Sequence, residues 1–284
     1  MANVVITGTS SGFGRLTVDT LAKAGHTVFA AMRGSAGRNA KAAQELSAAG
    51  AGKVRVVEMD VTSDAAVEQA IETIARQTEG AIDVLFNNAG RFSAGVQEAF
   101  TIEELKSLFE INVFGPFRVT RAVLPHMRKR RGGLIINTSS IVGRISLPCL
   151  GTYCASKFAL EALADAQRDE LKSLGIDVVL IEPGAFPTEV GNKGLYASDP
   201  RAQEYGEVAA IPQKMGEGLA QLFASPKAPN PQDVADAVKR LIDMPAGRRP
   251  ARMVVDKLTG DPVRAVNEVY EKQRLALMTA FGIA

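Results

Sequence analysis

The sequence predicts an α/β protein: a single-domain Rossmann-type, doubly wound parallel sheet of about seven strands with helices on both faces. Three observations carry that prediction. Short apolar runs alternate with amphipathic stretches along most of the chain, which is the pattern of βαβ units. The first such run, Val4–Thr7, delivers a glycine-rich turn, Thr7-Gly8-Thr9-Ser10-Ser11-Gly12-Phe13-Gly14, to the start of a helix. With 46% hydrophobic residues among 284, the chain can bury a sizeable core and is not disordered.

The elements follow in order. A helix over Phe13–Ala24, closed by Gly25, leads to a second strand, Thr27–Met32, and a helix around Asn39–Ala49. Val54–Glu58 is the third strand, and the next helix runs from Asp64, read as its N-cap, to Thr78. Ile82–Asn87 makes a fourth strand. A long helical tract then spans Thr101 to Arg130, with Pro116 and Pro125 expected to kink or break it. Leu134–Thr138 is the fifth strand, Thr152–Leu174 a helix and Asp177–Ile181 the sixth strand.

The rhythm then lapses until Pro231. So long a stretch inside a compact domain is usually functional, and residues 184–230 are expected to form a substrate lid with short helices. Asp233–Ile242 is a helix, Arg252–Val255 a seventh strand, and residues 261–284 a C-terminal tail whose helix, Pro262–Ala280, docks on the domain. No internal repeat or linker divides residues 1–284.

Composition excludes several functions. A formal charge of +2 is too small for nucleic-acid binding, and the run Arg128-Lys129-Arg130-Arg131 reads as a solvated helix C-terminus. Cys149 and Cys154 fit neither a zinc spacing nor C-x-x-C, and two thiols point to a reducing compartment. No apolar run reaches the roughly 18 residues of a membrane span, and the N-terminus has no signal-peptide pattern. A cytoplasmic location is expected. His26 and His126 have ordinary packing or surface positions, and no metal-ligand cluster stands out.

The chemistry lies in two groups of residues. A strand–turn–helix rich in glycine is an anion seat, because backbone N–H groups and the helix dipole face the ligand. Its spacing here is G-x-x-x-G-x-G, which differs from the G-x-G-x-x-G dinucleotide fingerprint. Tyr153 and Lys157 stand four apart on one helix and share a face, with Ser140 thirteen residues before the tyrosine. A free phenol is protonated at neutral pH, and a nearby ammonium is expected to lower its pKa toward the working range. The end of the second strand bears on cofactor choice. An acidic residue there would select NAD, but Met32 and then Arg33 occupy the place, so a 2′-phosphate meets a guanidinium. NADP(H) is therefore the expected cofactor, with Arg38 a second candidate base.

With these motifs in view, the chain resembles the short-chain dehydrogenase/reductase family over roughly residues 1–260. It has the T-G-x-x-x-G-x-G turn, Asn87-Asn88-Ala89-Gly90 after the fourth strand, Ser140 ahead of Y-x-x-x-K, and Pro183-Gly184 after the sixth strand. The resemblance implies a phosphate cradle at Gly8, Ser10, Ser11, Gly12, Phe13 and Gly14. It implies Asp60 on the adenine amino group, Val61 beside the ring, and Asn88, Ala89 and Gly90 lining the cofactor. The segment Pro183, Gly184, Phe186 and Thr188 would hold the nicotinamide amide. Tyr153 becomes the general acid/base, Lys157 the group that tunes it and binds the nicotinamide ribose, Ser140 the residue that polarises the substrate oxygen, and Asn112 the anchor of a proton relay. Ser11 departs from the base often found there in NADP-linked members. A homodimer through the Thr101–Arg130 and Thr152–Leu174 helices is also implied, with a homotetramer as the alternative.

Ile141–Leu150, Phe92–Ala94, Phe186 and the lid should line a mostly apolar pocket, with Arg144 the one charge in the first segment. A small lipophilic ketone, aldehyde or secondary alcohol fits it. The expected activity is an NADP(H)-dependent carbonyl reductase. Two readings compete with it: a steroid- or retinol-type dehydrogenase working oxidatively, and a non-catalytic NADP(H)-sensing protein. Retention of Ser140, Tyr153 and Lys157 speaks against the last.

Overall fold

The structure, a computed structural model, describes residues 1–50 and 52–283. Seven parallel strands form the central sheet: β1 (Asn3–Thr7), β2 (Thr27–Met32), β3 (Val54–Glu58), β4 (Val84–Asn87), β5 (Gly133–Thr138), β6 (Ile176–Pro183) and β7 (Arg252–Val255). Their spatial order is β3-β2-β1-β4-β5-β6-β7. The order reverses between β1 and β4, whose registers include Val4 beside Val84 and Ile6 beside Phe86. That switch point opens a crevice at the carboxyl ends of the strands, where ligands of such sheets bind.

Both faces of the sheet are covered, which is why its strands read as continuous apolar runs. Alternate residues of β1 feed opposite cores. Val4 and Ile6 pack with Val18 and Leu21 of α1 (Gly12–Lys23) and with Val234, Val238 and Leu241 of α8 (Gln232–Asp243). Val5 faces Val67, Ile71 and Ile74 of α3 (Asp64–Gln77) and Val119, Val123 and Met127 of α5 (Gly115–Arg130). The remaining helices are α2 (Ala40–Ala49), α4 (Ile102–Phe109), α6 (Gly151–Lys172), α7 (Ile211–Phe223) and α9 (Asp261–Ala280).

The structure departs from the sequence reading in four places. The 101–130 tract breaks at a five-residue π-helical segment, Glu110–Phe114, and not at a proline. Pro116 sits in the first turn of α5, where a missing N–H costs nothing, and Pro125 is carried inside the helix. Ser63, not Asp64, caps α3: its hydroxyl accepts from Ala66 N at 3.3 Å, while Asp64 takes the first turn and complements the dipole. Strand β6 runs on to Pro183, beyond the expected Ile181. Residues 184–230 hold a two-residue strand, Leu195–Tyr196, paired with Ser93–Ala94, then a 3-10 stretch, Pro200–Ala210, and α7. The basic run at 128–131 does end a helix: Arg131 closes α5 in the left-handed conformation, and Arg130 pairs with Asp83 at 2.7 Å. Among the described residues, no helix is long and apolar enough to cross a membrane.

Candidate active site

The glycine turn links β1 to α1 at the switch point. Ser11 stands at the N-cap of α1 without making a side-chain cap, and the first turn holds no acidic residue. The leading amides of the helix are therefore available to an anion. Gly8 has φ +70°, and a Cβ there would lie 2.8 Å from Ala89 Cα. At Gly14 a Cβ would meet the Gly8 carbonyl at 2.4 Å and Asn88 Nδ2 at 2.6 Å, so no side chain fits either position.

The Asn87–Gly90 segment braces this turn. Asn88 Nδ2 donates to the carbonyls of Thr7 and Gly8 at 3.0 and 3.1 Å, and the Thr7 hydroxyl accepts from the amides of Asn88 and Ala89, both at 3.0 Å. The Asn88 side chain thus shapes the cradle. Asn87 turns away to Thr120 and Asn137, at 3.1 and 2.9 Å.

The adenine end is built on β2 and β3. Met32 is buried and Arg33 exposed. Glu58, at the end of β3, accepts from the amides of Gly34 and Ser35 at 2.6 and 2.7 Å, while Asn39 donates to the Arg33 carbonyl at 2.7 Å. Those contacts fix the turn that carries Arg33 and Arg38. Burial works against the Asp60 carboxylate, yet bonds from Thr62 and the charges of Arg33 and Arg38 hold its pKa below the usual value. Val61 lies against Gly115, and Arg118 ties the Val61 carbonyl, at 2.6 Å, to Glu110, at 2.7 Å, and to Asp64.

Residues after β6 return over the glycine turn. Gly184 is pressed against Asp256, and Phe186 packs edge-on against Phe13 with ring centres 5.4 Å apart. Phe186 belongs to the core, at 7% exposure, so it supports the crevice from behind. Thr188 faces Gly12, and Lys193 Nζ reaches the Ser11 hydroxyl at 3.2 Å. Lys193 was not legible as a site residue. It sits 182 positions from Ser11, and nothing in its own neighbourhood marks it.

Tyr153, Lys157, Ser140 and Asn112 come together at the carboxyl ends of β5 and β6. Lys157 is buried, donates to the Thr138 carbonyl at 2.8 Å, and lies 5.7 Å from the centre of the Tyr153 ring. Ser140 accepts from Val142 N at 3.3 Å, and its hydroxyl interacts with the Tyr153 phenol. Asn112, in the π-helical segment, donates to the Arg91 carbonyl at 2.8 Å and the Ser156 hydroxyl at 3.0 Å and accepts from Arg91 N at 2.7 Å. Gly90 lies between Asn112 and Lys157: a Cβ there would stand 3.4 Å from Asn112 Oδ1 and 3.6 Å from Lys157 Nζ.

The electrostatics differ from the expectation. Burial pushes the Tyr153 phenol above its ordinary value, with the Ser140 hydroxyl opposing, and brings Lys157 down to about 8, with Glu161 opposing. Desolvation thus outweighs the lowering of the phenol expected from Lys157.

An apolar wall stands beside the phenol. Phe92, Ala94, Ile141, Val142, Leu150, Cys154 and Met215 cluster with Tyr153, and the Phe92 ring meets the tyrosine edge-on at 5.2 Å. Arg144, expected on this wall, turns away instead, stacking at 4.0 Å over Tyr270 of α9.

A phosphate seat at the switch point, with a phenol, an ammonium and a hydroxyl at its mouth, defines a class: nucleotide-dependent oxidoreductases. The chain belongs to the short-chain dehydrogenase family, whose model matches residues 2–195. A 3-ketodihydrosphingosine reductase from Bacteroides thetaiotaomicron is 35% identical over 241 residues, covering 80% of this chain and 85% of the relative. A short-chain dehydrogenase from Streptomyces avermitilis superposes with a TM-score of 0.78 at 29% identity, covering 99% of this chain and 97% of that one. Another, from Sphingobium yanoikuyae in complex with NADPH, gives 0.74 at 25% identity over 98% and 95%. The structural neighbours include complexes with NADP+ and with NAD. The protein is thus an oxidoreductase of the short-chain dehydrogenase family.

Proposed function

We propose that the protein is an NADP(H)-dependent carbonyl reductase acting on a lipophilic ketone or aldehyde. The observation that carries this reading is the place of Tyr153, a half-buried phenol set between Lys157 and an apolar wall, with a pKa that desolvation pushes up. A phenol held above its usual pKa is an acid first, which suits delivery of a proton to a carbonyl oxygen that is becoming an alkoxide. The cofactor, when bound, supplies the hydride. Ser140 donates to the substrate oxygen and orients it toward the phenol. Lys157 binds the nicotinamide ribose and returns a proton to Tyr153, and Asn112 holds the relay end of the site. Phe92, Leu150 and Met215 exclude water around the substrate, with residues 184–230 acting as the lid.

Residues of the crevice fit an NADP(H) molecule: uncapped amides at α1, glycines where no side chain fits, and at the end of β2 Met32 in place of the acid of NAD-selective sheets, with Arg33 next to it. Lys193 adds an ammonium beside Ser11, where the turn itself lacks a base. The relative's name, a 3-ketodihydrosphingosine reductase, agrees with a ketone bearing apolar chains.

The test follows NADPH oxidation at the nicotinamide absorbance across a panel of lipophilic ketones and aldehydes, with NADH in parallel. Faster turnover with NADPH, reduced preference in Arg33→Ala and Lys193→Ala, and loss of turnover by at least about 100-fold in Tyr153→Phe are expected. An NADH preference overturns the cofactor assignment. Full activity in Tyr153→Phe overturns the mechanism.

A further inference from the structure

Below the Tyr153–Lys157 pair, α6 carries two more ionisable groups at the same spacing, Glu161 and Asp165. Both side chains are buried and meet Arg252 of β7: its Nε donates to Glu161 Oε2 at 2.9 Å and its Nη2 to Asp165 Oδ2 at 2.6 Å. A third carboxyl, Glu182 of β6, stands 3.5 Å from the same Nε. Helix α9 closes the cluster, with Asn267 donating to Glu182 Oε2 at 2.6 Å and the Tyr270 hydroxyl to Asp165 Oδ2 at 2.9 Å. Arg144, from the segment after Ser140, donates to Asn267 Oδ1 at 2.9 Å and lies over Tyr270.

Three buried carboxyls therefore share one guanidinium, with a second, Arg144, one residue removed. Such a group does not hold three negative charges, because each further ionisation is opposed by burial and by the charges already present. Geometry decides where the proton sits. Glu161 and Asp165 each take a direct bond from Arg252, whereas Glu182 Oε1 has no hydrogen-bond partner. Burial and the charge of Glu161 push Glu182 up, so Glu182 keeps the proton. Burial raises Glu161 too, with Arg252 opposing, and it is the direct bond from Arg252 Nε at 2.9 Å that favours placing the charge on Glu161 over Glu182.

The other oxygen of Glu161 faces Gly143, on the side where that glycine also meets Lys157 Cβ. Gly143 makes room for it: a Cβ there would lie 3.3 Å from Glu161 Oε1, 3.3 Å from Lys157 Cβ and 2.5 Å from Ser139 Oγ. Ser139 Oγ and Glu161 Oε1 are both buried; the hydroxyl stands close enough to favour the carboxylate, but the two miss the line of a formed hydrogen bond. Lys157, one helical turn above, is the cation this oxygen can serve.

We propose that Glu161 is a positioning residue for the catalytic pair: its carboxylate, fixed by Arg252 and sealed in by α9, holds the positive charge on Lys157. This rests on the assignment of Tyr153 and Lys157 above. The groups facing Glu161 and Lys157 are Tyr153 and Asp165 on α6, Glu182 on β6, Arg252 on β7, Arg144 after Ser140, and Tyr270 on α9. Of these carboxyls, Glu161 is placed nearest the lysine along the helix. The tail becomes part of the active site's electrostatics without touching substrate.

The experiment uses the full chain labelled at lysine Cε and follows the Lys157 resonance through a pH titration by NMR, with Lys157→Arg giving the assignment. In Glu161→Gln the Lys157 midpoint falls by about one pH unit, and the corresponding limb of the kcat profile moves with it. In Glu182→Gln, which replaces a group already neutral, the midpoint stays. A merely structural role for Glu161 would lower thermal stability and kcat without moving the midpoint. An unmoved midpoint in Glu161→Gln, or an equal shift in Glu182→Gln, overturns the proposal. Where Glu161→Gln fails to fold, Glu161→Asp withdraws the charge by one methylene and must give a smaller fall; no fall there also overturns it. The titration needs no turnover, so a wild-type protein inactive on every carbonyl would refute the reductase reading separately.

Discussion

Replacing Lys157 by methionine should abolish turnover and, at the same time, make the protein more stable at neutral pH. Lys157 is 4% exposed, and burial brings its pKa from the ordinary 10.5 to about 8. Holding the ammonium in the folded state at pH 7 therefore costs about 3 kcal/mol, at 1.36 kcal/mol for each unit between those values. Methionine is of similar length, fills most of the space and carries no charge. It loses the bond to the Thr138 carbonyl, which offsets the gain by about 1 kcal/mol. About 2 kcal/mol remains. For a chain of 284 residues the unfolding entropy is about 0.6 kcal/mol/K, so the midpoint of thermal unfolding should rise by about 3 °C. The sign has a pH signature. An unfolded lysine keeps its proton to 10.5 while the folded one releases it near 8, so in that window the unfolded state binds more protons and the wild type gains stability as pH rises. The variant lacks the group and shows no such gain. Urea unfolding of both proteins at pH 7, 9 and 10.5 should show a gap that is full at pH 7, smaller at pH 9 and slightly reversed at the highest pH, where only the lost Thr138 bond remains. A variant less stable than wild type at pH 7, or a gap independent of pH, would refute the reasoning.

Two further outcomes can be checked. Gly8→Ala forces a Cβ to 2.8 Å from Ala89 Cα at φ +70°, so it should cost about 1–2 kcal/mol of stability and raise the KM for NADPH by at least about 10-fold, as read by denaturant unfolding and initial rates. Phe114, Phe117 and Phe158 expose apolar rings on the π-helical segment, α5 and α6, at 49%, 46% and 41%, in the region where the family resemblance implies a homodimer. Phe117→Glu should yield a folded monomer by light scattering at micromolar concentration; a wild type that is already monomeric there would sink the dimer.

What the sequence made legible was whatever depends on local period and spacing. Alternation of apolar runs with amphipathic stretches located every strand of the sheet, since strands buried on both faces cannot hide their composition. The four-residue step from Tyr153 to Lys157 is enough to put both on one face of α6. Features set by distant partners were not legible. The break in the 101–130 tract lies at Glu110–Phe114, where Asn112 bonds Arg91 and Ser156, and no helix-breaking residue announces it. Lys193 reaches Ser11 only because the chain after β6 folds back. The ionisation of Tyr153 was not legible for a related reason. Spacing reveals the ammonium, but burial, which proves the larger influence, belongs to the packed molecule.

That reversal bears on the direction of the proposed reaction. Had Lys157 simply lowered the phenol, the site would hold a phenolate, a base waiting for an alcohol. Burial instead raises Tyr153 and lowers Lys157 to about 8, so the ammonium is the stronger acid of the two. In the proposed reaction, a proton given by Tyr153 to a nascent alkoxide would then be replaced downhill from Lys157. The same ordering makes an uncharged lysine the failure mode: were Lys157 to fall further, the site would lose its proton reserve at neutral pH. Glu161 opposes that fall, and Arg252 with α9 keeps Glu161 in place to do so. On this view the buried charges beneath α6 lower the stability of the fold in order to keep a proton in reach of the phenol. The instability predicted for Lys157 and the acid needed at Tyr153 then have one physical origin, the desolvation of α6 at the mouth of the crevice.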